Sequence, residues 1–206
     1  VQTSLRTAQV PGVADRVEFR VQDLSQTDLS PATVVTMYLL PEVNLQLLPK
    51  LLALRAGTRI VSHDWDLGEW KPDRMVVVPV PDKKVGLEKS SKVHLWVVPG
   101  LFDGLWCNAH RAAGPGSMLL RQRFQEVRGQ MLRDGRVSNG RARAEGAVLR
   151  FAAASGEGAG MVLRLLNRWV VHLLKAIAQF VHRERGRGCR RRGRARVGIP
   201  SCHETA

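Results

Sequence analysis

Between Thr33 and Trp70 the spacing of apolar positions changes period twice. Thr33 to Leu40 (TVVTMYLL) is an apolar, β-rich run that stops at Pro41. Asn44, Leu45, Leu47, Leu48, Leu51, Leu52 and Leu54 then recur at helical spacing, Ala56-Gly57 ends that segment, and Arg59 to Ser62 opens a second extended run. The order strand, helix, strand predicts a parallel pair joined by a right-handed crossover, the building block of open α/β sheets. Pro49 predicts a kink or a late helix start, because it lacks the backbone donor. Ligands of such sheets sit at the carboxyl ends of the strands. Chemistry is therefore expected at Tyr38-Leu39-Leu40-Pro41-Glu42 and at His63-Asp64-Trp65-Asp66, unless both are ordinary strand exits.

The flanking pattern extends the sheet. Val17-Glu18-Phe19-Arg20-Val21 alternates cleanly and reads as a strand, with Gln22-Asp23-Leu24 at its carboxyl end. Asp73 to Pro79 and Lys92 to Pro99 read as two further strands, and Pro79 and Pro81 place the first of them at an edge. His94 alternates with Val93 and Leu95, as a packed or solvated histidine would. Beyond Gly100 the runs are short, and Asp134-Gly135 between two of them is a hairpin signal, so residues 101–154 read as a small antiparallel meander. Ala152 to Gly160 reads as a linker. Met161 to His182 has apolar residues on one side and Arg164, Arg168, His172 and Lys175 on the other, which predicts an amphipathic helix.

Charge adds a second theme. The 206 residues carry a formal charge of +14. Eight arginines between Arg183 and Arg196, against Glu184 alone, supply half of it. Joined to the basic helix, such a tail suits contact with an anionic membrane surface or a nucleic acid; it equally suits docking on the protein's own core, or a tail with no selected role. The arginines of the meander, Arg121, Arg123 and Arg128 among them, read first as a solvated face and second as a nucleic-acid contact with few aromatics for stacking. Three scattered cysteines, Cys107, Cys189 and Cys202, predict no disulfide framework, which suits a reducing, cytoplasmic setting. Cys189, Cys202 and His203 lack the paired spacing of a zinc site, so no metal is expected. From His63 to Trp70, Asp64, Asp66 and Glu69 with Trp65 and Trp70 form a candidate cation-attracting rim suited to an amine substrate, or a loop whose tryptophans cap the core.

The wording YLLPEVN, a leucine-rich helix and GTRIVSHDWDLGEW resembles the fourth and fifth strand region of class I S-adenosylmethionine-dependent methyltransferases. The likeness includes the seven-strand lysine methyltransferases that act on the ATP synthase c subunit and on nucleosomal histone. GVADRVEFRVQDL resembles the third strand of the same fold. The resemblance runs from about Arg6 to Pro99 and implies a fold class: α/β, an incomplete doubly wound Rossmann-like methyltransferase sheet. On that reading residues 1–100 are a partial methyltransferase domain from the third strand onward. They are followed by a β meander (101–154), a linker and amphipathic carboxyl-terminal helix (155–182) and a disordered Arg-rich basic tail (183–206).

The resemblance also assigns roles. It implies S-adenosyl-L-methionine as cofactor, with Asp23 and Leu24 at the adenine and Thr36, Met37 and Tyr38 lining the cofactor. Tyr38, Pro41 and Glu42 would edge the methyl-transfer channel, and Asp64, Trp65 and Asp66 would form the substrate rim. The methyl acceptor would be a protein, best a lysine, or a small molecule. The family's glycine-rich loop follows its first strand, yet no G-x-G-x-G follows a strand here; Gly156, Gly158 and Gly160 stand in the linker. Resemblance places that loop before Val1, so the chain reads as an amino-terminally truncated fragment. The family's sheet order (third, second, first, fourth, fifth, seventh, sixth) then leaves a gap beside the third strand. The competing expectation is a catalytically incompetent remnant whose basic helix and tail bind anionic membrane or nucleic acid.

Overall fold

The computed structural model describes residues 16–84, 88–108, 116–133, 135–151, 162–167, 170–173 and 179–183. The chain divides into two compact units, Val1–Pro31 and Ala32–Ala206. In the first, the described residues form turns and no strand. Val17–Val21, expected as the third strand, is unpaired and exposed along its whole length, with Arg20 and Glu18 joined by a 2.6 Å ion pair. Alternation gives a strand only where a neighbour takes the backbone groups, and this segment pairs with none among the described residues.

The second unit begins with the crossover. β1 (Val34–Met37), α1 (Pro41–Leu52) and β2 (Arg59–His63) follow in order, and β1 pairs with β2 in parallel, Met37 opposite Ser62. Pro41 at the first turn needs no amide partner and starts α1. The helix buries Asn44, Leu47 and Leu51 on the sheet. Pro49 neither breaks it nor delays its start, and it stands on the exposed side of the helix. β3 (Arg74–Pro79) and β4 (Ser90–Val97) complete a four-stranded sheet of order β1-β2-β4-β3, with β4 antiparallel to both neighbours. That order is the fourth, fifth, seventh and sixth of the resemblance, and β3 is the edge strand that its prolines predict. Ile60, Ser62, His94 and Trp96 share the buried face beneath α1.

The remainder departs further from expectation. β5 (Gly104–Asn108), β6 (Gly116–Arg123), β7 (Glu126–Arg133), β8 (Arg136–Glu145), β9 (Val148–Phe151), β10 (Val162–Asn167), β11 (Val170–Leu173) and β12 (Gln179–Arg183) form an antiparallel barrel, closed by β12 on β5. The expected meander is thus part of a larger closed structure. Among the described residues of 161–182, strands stand where an amphipathic helix was expected: β10, β11 and β12 pair antiparallel, with a register shift between Leu165 and Asn167. The expected linker, and the tail beyond Arg183, lie outside the described residues. Cys107 is disulfide-bonded, against the expectation that the scattered cysteines form no disulfide framework, and Cys189 and Cys202 lie outside the described residues. Phe102, Trp106, Met118, Leu120, Leu149 and Leu163 fill the barrel, where Phe151 packs against Gly129 and Gly140, positions at which a Cβ would meet its ring.

Barrel and sheet dock through the loop after β2. Trp70 is fully buried between Trp96 and Phe124, stacked on the latter with ring centroids 6.1 Å apart. Gln125 donates to the Lys71 carbonyl at 2.7 Å, Arg123 pairs with Glu69 at 2.7 Å, and Arg143 pairs with Asp73. Gly57 and Gly146, both at positive φ, meet where the turn after α1 passes the turn between β8 and β9. A Cβ on Gly146 would stand 3.1 Å from the Gly57 Cα.

Candidate functional site at the carboxyl ends of β1 and β2

The parallel register carries Tyr38 and His63 out of the sheet at the same end. Their rings meet edge to face, centroids 4.4 Å apart. Tyr38 and Leu40 stay 66% and 64% exposed, so the two exits present an open apolar surface beside the sheet. Thr36 is exposed on β1, whereas Met37 is buried beneath α1 and faces the core. Pro41 and Glu42 form the first turn of α1, and Glu42 is exposed where the positive end of the helix dipole stabilises a carboxylate. Tyr38, Pro41, Glu42, Thr36 and His63 therefore gather at one end of one crossover.

The residues after β2 divide into two sets. Asp64 adopts a left-handed backbone conformation, φ 62°, which aspartate tolerates better than most residues. Its carboxylate accepts from the Lys92 amide and the Lys83 ammonium, each at 2.8 Å, and its own amide donates to the Lys92 carbonyl at 2.7 Å. Asp64 thus ties the β2 exit to the β3–β4 hairpin. Trp65 is exposed, and Asp66 accepts from the Gly68 amide at 3.0 Å while facing solvent. Of the wider rim expected from sequence, Trp70 and Glu69 serve the contact with the barrel. Trp65 and Asp66 are the rim residues facing water.

The hydrogen bond from Lys83, ahead of the Lys92 amide and the nearby histidine and lysine charges, holds the Asp64 carboxyl below the usual carboxylate range, against the opposing effect of burial. A lowered folded pKa contributes stability that is complete above the unfolded value, about 3.9, and disappears as pH falls through the folded value. Melting temperature is therefore expected to drop on acidification below about pH 4. In Lys83→Ala, which removes the largest cause of the shift, the part of that drop due to Asp64 should shrink, as thermal scans from pH 2 to pH 6 would show.

One residue of the site was missed in the sequence. Asn44 lies in the second turn of α1 and is fully buried. Its side-chain amide donates to Ser62 Oγ (3.3 Å) and to the carbonyls of Trp65 (3.5 Å) and Asp66 (3.3 Å). Asn44 Oδ1 and both ring nitrogens of the buried His94 find no partner among the described residues, and ordered water is the usual partner of such groups. A polar residue at a core-facing helical position was the available signal.

Asp23 and Leu24 lie in the first unit. The Asp23 carboxylate there accepts from the amide and hydroxyl of Ser25 at 2.8 and 2.7 Å, closing a turn over residues 23–26.

A parallel crossover with both exits on one open surface is the ligand-binding end of an α/β sheet. Comparison with known proteins finds likenesses over part of the chain. Residues 1–74 match the model of the ANTKMT methyltransferase domain. A protein-lysine N-methyltransferase of Saccharolobus islandicus (strain REY15A) is 38% identical over 79 residues, which is 38% of this chain and 49% of that protein. The chain thus spans about half the length of this curated relative. A crystal structure of an RNA methyltransferase from Salinibacter ruber in complex with S-adenosyl-L-homocysteine shares 46% identity, with a TM-score of 0.41. It covers 50% of this chain, and the match takes in 61% of that chain. The match to the methyltransferase model thus lies within the first 74 of the 206 residues, the part that holds both strand exits.

Proposed function

We propose that the protein acts as an S-adenosyl-L-methionine-dependent methyltransferase on an amine, with a protein lysine as the acceptor. The observation that carries this reading is the shared end of β1 and β2. The Leu-Pro-Glu and Ser-His-Asp exits lie side by side there, with Tyr38 against His63, inside the segment that matches the methyltransferase model. The residues present suit the cofactor's chemistry. The exposed Tyr38 ring offers a π face to a sulfonium cation, and Thr36 offers a hydroxyl. Bound at this end, S-adenosyl-L-methionine would supply a methyl group activated by the positive sulfur.

The work left to the chain is positioning. In-line displacement gains most from holding donor and nucleophile in contact and alignment, an effect worth up to roughly 7–11 kcal/mol. Tyr38, Pro41 and Glu42 edge the channel, and the Glu42 carboxylate draws in a cationic side chain. Trp65 and Asp66 flank the approach, with Asp64 fixing the loop that carries them. A lysine attacks as the neutral amine, so it must shed its proton on the way in. The relative from S. islandicus, named as a protein-lysine N-methyltransferase, supports the choice of acceptor.

Titration calorimetry of the full chain with S-adenosylhomocysteine tests the cofactor half of this reading, and transfer of a labelled methyl group to a lysine-rich protein tests the acceptor. Binding that weakens in Tyr38→Ala is the expected result. Absence of heat with ligand at millimolar concentration would exclude cofactor binding by this chain.

A further inference from the structure

The register of β6, β7 and β8 lines up outward side chains in rows that cross the strands. One row holds Arg123, Glu126 and Arg143, and its charges alternate. Arg143 bonds Glu126 at 2.7 Å and reaches Asp73, while Arg123 pairs with Glu69. The next row holds Arg121, Arg128 and Arg141, three like charges side by side on strands about 4.8 Å apart. Like charges directly opposite one another destabilise a sheet. Arg121 has a carboxylate, that of Asp103, only at 3.9 Å, with both side chains more than half exposed. Arg128 and Arg141, both exposed, make no ion pair or hydrogen bond with any described residue. Beside the row, Gln130 donates to Asn139 at 3.0 Å, and these side chains line an open groove of about 680 Å³.

We propose that this arginine row on the outer wall of the barrel binds the phosphate backbone of a nucleic acid. Three cations in a line, two without an ionic partner among the described residues and the third with only a 3.9 Å contact to Asp103, call for an anion that repeats, and a polynucleotide supplies one charge per nucleotide. The strands around it are basic as a whole, with eight arginines against three acidic residues between 116 and 151. A lipid surface would require apolar groups to insert, whereas five of the eight residues lining this groove carry guanidinium or amide side chains. No aromatic side chain lines it, so the contact is with phosphate and without base stacking. The inference stands apart from the proposed methyl transfer and uses none of its residues.

Fluorescence anisotropy of the full chain with a labelled, mixed-sequence single-stranded RNA, measured across a salt series, tests it. Wild-type protein should bind, with affinity falling steeply as salt rises. The triple variant R121Q/R128Q/R141Q should bind more weakly, with a slope of log K against log salt shallower by about 2, three contacts at roughly 0.7 each. It should keep or raise the melting temperature, because repulsion is relieved, and this separates lost binding from lost fold. The charge-matched R190Q/R191Q/R192Q variant in the tail should retain the wild-type slope for the barrel contacts. No binding by wild type, a triple variant identical to wild type, or loss confined to the tail variant would overturn the proposal. So would unchanged RNA affinity in the triple variant together with lost binding to phosphatidylserine vesicles, which would reassign the row to a lipid surface.

Discussion

Trp70→Ala is expected to destabilise the protein by about 3–5 kcal/mol, the range for removing a fully buried aromatic side chain. Trp70 is the bulk that joins sheet to barrel: its ring lies between Trp96 and Phe124, and its carbonyl accepts the Trp96 indole N–H at 2.7 Å. Phe124 holds a left-handed backbone, φ 52°, unusual for a bulky side chain and sustained only where surroundings enforce it. Removing the indole takes away the surface that holds the β6–β7 turn in that state. Equilibrium urea unfolding would report the loss. A fall below about 1 kcal/mol, the usual scale of a substitution without a special mechanism, would mean that the polar contacts around Gln125 and Arg143 suffice to dock the barrel.

On the proposed function, Asn44→Ala is expected to lower methyl transfer on the order of 10²-fold, the penalty that a misplacement near 1 Å can bring, while costing only about 1–3 kcal/mol of stability. The carbonyls of Trp65 and Asp66 and the hydroxyl of Ser62 would lose their common donor, freeing the loop after β2. Asn44 acts through that loop, so the fall should appear in kcat, with S-adenosylhomocysteine affinity changed far less. Equal losses in kcat and in affinity would show instead that the substitution disturbs the whole crossover.

The contrast between what the sequence pattern revealed and what it concealed has physical causes. The crossover was legible because its signals are local: an apolar run ending at Pro41, leucines at helical spacing and a glycine able to adopt φ of +94° at the turn. The β3–β4 pair was legible for the same reason. Val17–Val21 alternated just as clearly and formed no strand, since alternation says which side chains could face a core but not whether a partner takes the amides. The segment 162–183 fits two periods at once. Leu163, Arg164 and Leu165 go buried, exposed and half-buried as in a strand, yet the longer leucine and valine spacing also satisfies a helix. What decides between them is closure on β5, more than seventy residues earlier in the chain, which no local window contains. At the candidate site, the sequence located both strand exits but could not show that Asp64 and Glu69 would be engaged by Lys83 and Arg123, or that Asn44 would reach across from the helix.

The edge strand β3 carries a consequence for how the protein behaves at concentration. Met75, Val76, Val77 and Val78 are four consecutive apolar residues, each between 42% and 52% exposed, on a strand whose outer side pairs with nothing among the described residues. Such an edge is a template on which other chains can add. Arg74 at one end and Pro79 at the other act as gatekeepers, one by charge and one by its missing amide. Colloidal stability therefore hinges on these two residues. The barrel strands, by contrast, each pair on both sides in a closed order.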